Sequence, residues 1–595
     1  MLKVLVALRL KRTGGEYVIY DVYRVGHAIS GINDSDIDPL LMPETPKNIT
    51  NVIWLEFTQE GDEVSYTGVE VRDYIVKDAQ KYLLRKASAN GANFGPSAQL
   101  TETEKTLLKK IAAWFKDAST EVGDKSDHNL FSKIHDLISK NKDDFISEIN
   151  EKAPKGKNIQ NMIAVGLNGQ YPLEVEPFFQ YYSKKVMKKI VGEDNHTGTC
   201  CLCGRNNVEL LPKVDVFKFY TVDKPGFVSG GFSEQDIWRN CPVCISCEPI
   251  LREGKKYMME HLRFRFFGFV YYLIPSSTCN EDTQELLVDR LEAISYKSFS
   301  FKESSESEFS SLSGDMFEDL LESGDSNSYR ILFFKKDNAA ERIILDMKDI
   351  FPSRFAALYS AKHHIEQTYK ELTKENFSFK YYRQFLSKTE PASKTYDLDG
   401  SFLTLTHAIF TEEKVLLNTL LPHFMRDIRR AFLNGDYLYH TTLRAWIGLI
   451  YLHEIGCVDY RRENTGMDEK LEKVLFIYDA GLDTKLKKGL VLTGAFAQKV
   501  MNIQAHELNG STPFFTRLKG LKLRQPDVEG MVTEAVTKMQ EYDKYSKGSK
   551  LIMETITDLI FSSPAQWNLS TDEINFYIAG GMALSKKIYD ELKEE

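Results

Sequence analysis

At 595 residues the chain is too long for one hydrophobic core, and roughly three to five domains of ordinary size are expected. Hydrophobic residues at 42% and charged residues at 27% fit a globular protein, and the longest strongly apolar run, near Phe266–Ile274, is too short to span a bilayer. The net charge of −9 excludes a uniformly basic nucleic-acid binder, but residues 184–265 carry 14 Lys and Arg against 10 Asp and Glu. Met1–Leu10 is apolar but broken by Lys3 and Arg9, with no small-residue cleavage site after it. It reads as a first strand rather than a signal peptide, which predicts a cytoplasmic protein without membrane partners.

In chain order, alternating apolar residues in Leu2–Leu8, Tyr17–Tyr23 and Asn51–Phe57 predict an N-terminal sheet. Glu102–Phe115 reads as a helix, Lys152–Asn161 as a basic loop bearing Pro and Gly, and Glu176–Val191 as a lysine-rich helix. Leu262–Ile274 alternates as one strand, with Leu262, Phe264, Phe266 and Val270 on one face and Arg263, Arg265, Phe267, Phe269 and Tyr271 on the other. Glu303–Asp325 holds eight acidic residues and no base, the composition of a solvated loop. A strand pair is expected around Arg330–Lys336 and Glu341–Met347. Beyond Phe351 the periodicity is helical to the end, and the last helix opens with a capping box of Ser570 and Glu573 that sets Ile574, Tyr577, Ile578, Gly581, Met582 and Ile588 on one face. The fold class is α+β and multidomain: an N-terminal mixed α/β lobe (1–195), an inserted zinc-binding region (196–275), a mixed connecting region (276–400) and a C-terminal helical bundle (401–595).

Six of eight cysteines lie within 48 residues: Cys200, Cys201, Cys203, Cys241, Cys244 and Cys247. Two Cys-x-x-Cys turns can each present two thiolates to one tetrahedral Zn(II), and Gly204 suits a knuckle turn that needs positive φ. Cys200 with Cys203 is the one such pair on the first side, whereas Cys241 with Cys244 and Cys244 with Cys247 both fit on the second. Disulfides disagree with a chain lacking a signal peptide, and an iron–sulfur cluster is the main rival to structural zinc. Four thiolates leave no open position, so the metal is expected to hold the fold rather than to catalyse.

Several ordered blocks go beyond a generic zinc protein: Cys203-Gly204, Phe219 to Phe227 (FYTVDKPGF), Trp238 to Cys247 (WRNCPVCISC), Gly254 to Tyr257, Tyr271 to Pro275, and the Phe-Phe-Lys-Lys and Phe-Pro-Ser-Arg pieces within Ile331–Arg354. Together they resemble the TM1802-like large subunit of type I-B CRISPR surveillance complexes (Cascade), most strongly over residues 196–360. An aromatic is expected before Pro-Val-Cys in that family, where this chain has Cys241. The resemblance therefore favours Cys200, Cys203, Cys244 and Cys247 as ligands, with Cys201 and Cys241 as possible substitutes. It implies a subunit at the crRNA 5′ end that recognises the protospacer-adjacent motif (PAM) on double-stranded target DNA, supports R-loop formation, holds the displaced strand and recruits a helicase-nuclease. Its partners would be the backbone, crRNA-processing and small Cascade subunits of a prokaryotic cell. In such systems guide pairing reads the sequence while protein reads a short motif and the backbone.

Candidate nucleic-acid residues follow from side-chain chemistry. Lys86, Asn90, Asn93 and Phe94 lie in one Gly/Asn-rich loop, and Lys155, Lys157 and Asn158 in another; an ordinary turn and a solvated linker are the alternatives. Lys255, Lys256, Arg263 and Arg265 flank the cysteine region, and Arg517, Lys519, Lys522 and Arg524 place four cations in eight residues. A small-subunit-like tail is expected from Met467 to the end, provided that it is self-contained. No His-Glu-x-x-His, phosphate-loop or Gly-Gly-Asp-Asp signature is present, so no catalytic residue is assigned. The adjacent His363 and His364 are a poor ligand pair, while His196 is the one histidine near the cysteines. A zinc-dependent nuclease and a zinc-bearing protein scaffold are the alternative functions.

Overall fold

The structure is a computed structural model that describes residues 14–29, 41–46, 48–87, 91–191, 196–220, 233–267, 269–277, 284–292, 327–337, 340–373, 375–387, 398–435, 438–460 and 466–593. The expected strand Leu2–Leu8, the acidic stretch 303–325 and Asn90 lie outside these residues. The chain divides into two compact units, Met1–Lys256 and Tyr257–Glu595.

In the first unit α1 (Gly14–Ile29) replaces the strand expected at Tyr17–Tyr23. Val18, Ile19, Val22, Val25 and Ile29 are all buried, and that spacing of three and four residues makes one helical face. A short apolar run fits both periods, and the longer stripe decides for the helix. The expected strand at Asn51–Phe57 is present as β1 (Asn51–Glu60). It pairs antiparallel with β2 (Glu63–Asp73) and parallel with β4 (Asn161–Leu167), and β3 (Ser97–Gln99) completes a sheet of order β2-β1-β4-β3.

The two central strands are buried on both faces, as parallel pairs usually are. Ile53, Leu55 and Phe57 face a cluster with Trp114, Phe115, Phe131 and Ile134, supplied by α2 (103–121, with a π-helical stretch at Leu107–Ala112) and α3 (Lys125–Lys140). Val52 and Trp54 face Tyr82, Met162 and Ala164. Gly166 lies so close under the Trp54 ring that a Cβ would come within 2.0 Å of it. The helix expected at Glu102–Phe115 is thus present within α2. α4 (Lys142–Lys152) then leads into the loop before β4, and α5 spans Glu176–Val191 as expected.

In the second unit the expected single strand Leu262–Ile274 is a hairpin: β7 (Arg263–Phe266) turns at Phe267, whose φ is +46°, into β8 (Phe269–Ser277). Phe264 pairs with Tyr271 and Phe266 with Phe269. Residues directly opposite share a face, so the turn moves Phe269 and Tyr271 onto the face of Phe264 and Phe266, and leaves Val270 on the face of Arg263. β9 (Asn327–Asp337) and β10 (Ala340–Ile350) extend the sheet in the order β10-β9-β8-β7 and supply the expected strand pair. Arg330, 2% exposed, is held by both oxygens of Asp346 at 3.1 and 3.0 Å.

Helices follow to the end of the chain: α7 (Pro352–Thr373), α8 (Lys380–Phe385), α9 (Asp399–Thr411), α10 (Leu417–Asn434), α11 (Leu438–Glu454), α12 (Glu469–Ile477), α13 (Lys485–Glu507), α14 (Gln525–Glu541), α15 (Lys547–Phe561) and α16 (Thr571–Glu591). α13 and α16 form the tightest contact. A Cβ at Gly494 would fall 2.0 Å from the Ile578 carbonyl oxygen, and one at Gly581 would fall 1.8 Å from that of Val491. The capping box of Ser570 and Glu573 is formed, and every residue expected on the packing face of α16 is buried.

The candidate metal centre and nucleic-acid surfaces

The cysteines arrive on two turns. Cys200 ends the approach from β5 (His196–Gly198), and a turn closed by the Gly204 N–H to the Cys200 carbonyl at 3.0 Å brings Cys203 round beside it. Gly204 has φ +69°, the conformation that glycine adopts without strain. The second turn follows β6 (Val208–Leu210), which pairs antiparallel with β5. Leu210 bridges Cys244, the Leu211 N–H reaches the Val243 carbonyl at 2.9 Å, and the Cys201 N–H reaches that of Pro242 at 2.8 Å. Cys247 is the first residue of α6 (Cys247–His261), where the helix N-terminus favours a thiolate.

The sulfurs of Cys200, Cys203, Cys244 and Cys247 all lie within 4.8 Å of one another, and the Cys203 and Cys244 sulfurs are 3.9 Å apart. A tetrahedral ion with metal–sulfur bonds of about 2.3 Å sets its sulfurs about 3.8 Å apart, so the four fit a single ion. Among the described residues this is the one group of three or more His, Cys, Asp or Glu so arranged. Cys201 and Cys241 are not in it, and His196 stacks on Trp238 at 4.6 Å instead.

Without a cation the cluster favours a thiolate at Cys200 over Cys244 and Cys247. Hydrogen bonds from the Cys247 thiol and from backbone N–H groups, that of Cys244 at 3.3 Å among them, draw the Cys200 thiol down to about 4 against the cost of burial. The same pairing with Cys200, followed by burial, pushes Cys247 upward, and burial raises Cys244. Two groups that sequence reading missed complete the surroundings: the Arg205 guanidinium donates to Cys203 Sγ at 3.4 Å, and the Tyr23 hydroxyl lies 3.5 Å from Cys247 Sγ. Arg205 was within reach as a cation two residues past a ligand. Tyr23 is too distant in sequence to leave a signal.

The candidate nucleic-acid residues do not converge on one site. Asn93 is buried, with its amide spent on the Ser97 carbonyl at 2.8 Å, and Phe94 lies under the Arg85 guanidinium. Lys86 is exposed and reaches Gln99 at 3.1 Å. Lys155, Lys157 and Asn158 are exposed in the loop before β4. Lys255 is turned inward, its ammonium donating to the Val216 carbonyl at 2.7 Å over the Phe217 ring, while Lys256 is exposed beside Glu253. Arg263 lines a cleft within the second unit, and the side chain of Arg265 lies outside the described residues.

Arg517 and Lys519 are more than half exposed and pair with Glu534 and Asp527, and Lys522 and Arg524 are exposed beside them. The loop that carries them is anchored by Asn575 of α16, whose buried amide bonds both the N–H and the carbonyl of Leu523 at 2.9 Å. His363 and His364 diverge as expected: His364 meets Glu454 at 2.5 Å and His363 meets Gln367 at 2.6 Å.

Comparison with protein families matches three domains of the CRISPR-associated protein TM1802 (cas_TM1802) along the chain: the N-terminal domain to residues 18–184, the central domain to 197–350 and the C-terminal domain to 377–595. The chain belongs to the TM1802 family of CRISPR-associated proteins. The TM1802 central domain holds all four clustered cysteines together with the sheet β7 to β10, and the C-terminal domain holds α8 to α16. No curated protein matches the chain. Among the described residues of this TM1802-family protein, no helix is long and apolar enough to cross a membrane.

Proposed function

We propose that this chain is the non-catalytic large subunit of a type I-B guide-RNA surveillance complex, working in the cytoplasm of a prokaryote. It engages the crRNA 5′ region and duplex target DNA, recognises the PAM, supports R-loop formation and recruits the helicase-nuclease. The match to all three TM1802 domains carries this reading. The cysteine cluster agrees with it, because a closed set of four sulfurs around one Zn(II) leaves no coordination position for substrate. The sulfur spacing favours a single ion over an iron–sulfur cluster, in which bridging sulfides would push the cysteines further apart. When bound, the metal supplies cross-linking of the two turns, and the residues around it orient them.

The test is reconstitution of the guide complex with and without this chain. Loss of binding and opening of a PAM-bearing duplex only when the chain is omitted is the expected result. Normal target opening without it overturns the reading. Metal-dependent cleavage by the isolated chain would favour a nuclease, and binding to the other subunits with no contribution to DNA affinity would favour a scaffold.

A further inference from the structure

The run Phe333-Phe334-Lys335-Lys336 has no part in the metal centre. It lies on β9 with both rings buried: Phe333 packs 5.5 Å from Tyr271 and Phe334 packs 6.1 Å from Tyr272. Lys335 and Lys336 emerge exposed at the strand end. There they border an open cleft of about 1270 Å³ inside the second unit, walled by the β7–β10 sheet and α9. Its charged lining among the described residues consists of Arg263, Lys335, Lys336 and Arg383 against one carboxylate, Asp399, which lies 2.7 Å from Arg383. In a chain of net charge −9 this is a local reversal of sign.

Aromatic rings alternate with these cations. Phe267, Phe269, Tyr272 and Phe334 line the cleft, and Phe267 and Phe269 are half-buried. The Arg383 guanidinium is fixed 5.4 and 5.0 Å over the Phe269 and Phe402 rings. In the β9–β10 register Lys335 stands opposite Arg342 and Lys336 opposite Glu341. The volume exceeds the about 300–1,000 Å³ usual for a small-molecule site, so an extended ligand fits better than a compact one.

Cations that track phosphates beside rings that accept bases are what an unpaired strand requires. A duplex hides its base faces, and an acidic peptide would leave the rings unused. We propose that this cleft binds single-stranded nucleic acid, with phosphates on Lys335, Lys336 and Arg263 and bases on Phe267 and Phe269. The proposal rests on the nucleic-acid-binding reading above and adds to it a place in this chain for an unpaired strand.

The experiment uses the full chain with short fluorescein-labelled oligo(dT), oligo(U) and a duplex of equal length, comparing wild type with the Lys335→Ala/Lys336→Ala double variant. Both lysines are exposed, so thermal melting and metal content should match wild type. Single-strand affinity is expected to fall about tenfold, its salt slope to shrink by about 1.4, and duplex binding to change little. The two single-strand arms show whether DNA or RNA is preferred. Ultraviolet cross-linking of a halogenated oligonucleotide to wild type, read by peptide mass spectrometry, is expected to mark 263–272 or 333–336. Cross-links confined to other peptides, or unchanged single-strand affinity in the double variant, overturn the cleft while leaving nucleic-acid binding standing. A wild-type chain that binds none of the three probes overturns both.

Discussion

Four thiols within 4.8 Å of one another cannot all ionise unless a cation sits among them, so metal affinity and local folding are linked at this centre. Cys244→Ser is expected to lower zinc below one ion per chain by elemental analysis, whereas Cys201→Ser and Cys241→Ser should leave it unchanged. The spacing of the cysteines made the first pair legible. Spacing left the second open between Cys241 and Cys247; the family resemblance favoured Cys247, and the geometry agrees, since the Leu210–Cys244 bridge aligns the second turn and α6 starts at Cys247.

Glu148 gives a second test at this scale, because it joins α4 to β2. Burial raises its carboxyl, but hydrogen bonds from Lys152, the Tyr66 hydroxyl and the Val69 N–H outweigh that and hold it below the ordinary 4.5. A depressed carboxyl stabilises the folded state above pH 4.5, and that contribution disappears as pH falls through the lower folded value. Urea midpoints measured from neutral to acid pH should fall less steeply for Glu148→Gln than for wild type.

The element most exposed to a single substitution is the α13–α16 crossing. A methyl at Gly581 would land on the Val491 carbonyl, so the helices must separate, and Gly581→Ala is expected to cost about 1–3 kcal/mol in urea unfolding. The tail from Met467 does not close its own core. Phe576 stacks on Trp446 at 5.3 Å and lies 6.4 Å from Phe424, and Gly580 lies against the Trp446 ring, so α16 shares its packing with α10 and α11. A polypeptide starting at Met467 is therefore expected to bind a hydrophobic dye and self-associate on size-exclusion chromatography, and to lose both properties when the preceding helices are supplied. Element types came through where the pattern was long, as in α5 and α16. They failed at Tyr17–Tyr23, where a short apolar run fits two periods; at Leu262–Ile274 the strand type is right, but the turn at Phe267 makes two strands of one and changes which side chains share a face.

For the molecule as a whole, net charge is a poor guide to where a polyanion would bind. Arg517 and Lys519 sit in exposed pairs with Glu534 and Asp527, which are worth little in water and can exchange for phosphates, and Lys522 and Arg524 extend the patch. Replacing all four with Ala should weaken duplex binding for every sequence and reduce its salt slope by at most about 3.6. An unaltered slope would remove the patch from the interface.

Local chemistry is written along the chain: the paired thiolates, the capping box of Ser570, the helical C-terminal half and the ordered blocks of a CRISPR-associated family are each set by neighbours a few residues apart. Tertiary structure alone decided that Asn93 and Lys255 point inward, that Tyr23 meets Cys247, and that Lys335 and Lys336 share a cleft with Arg263. Those facts depend on contacts between residues far apart in the chain, and such contacts leave no periodicity or spacing in a sequence.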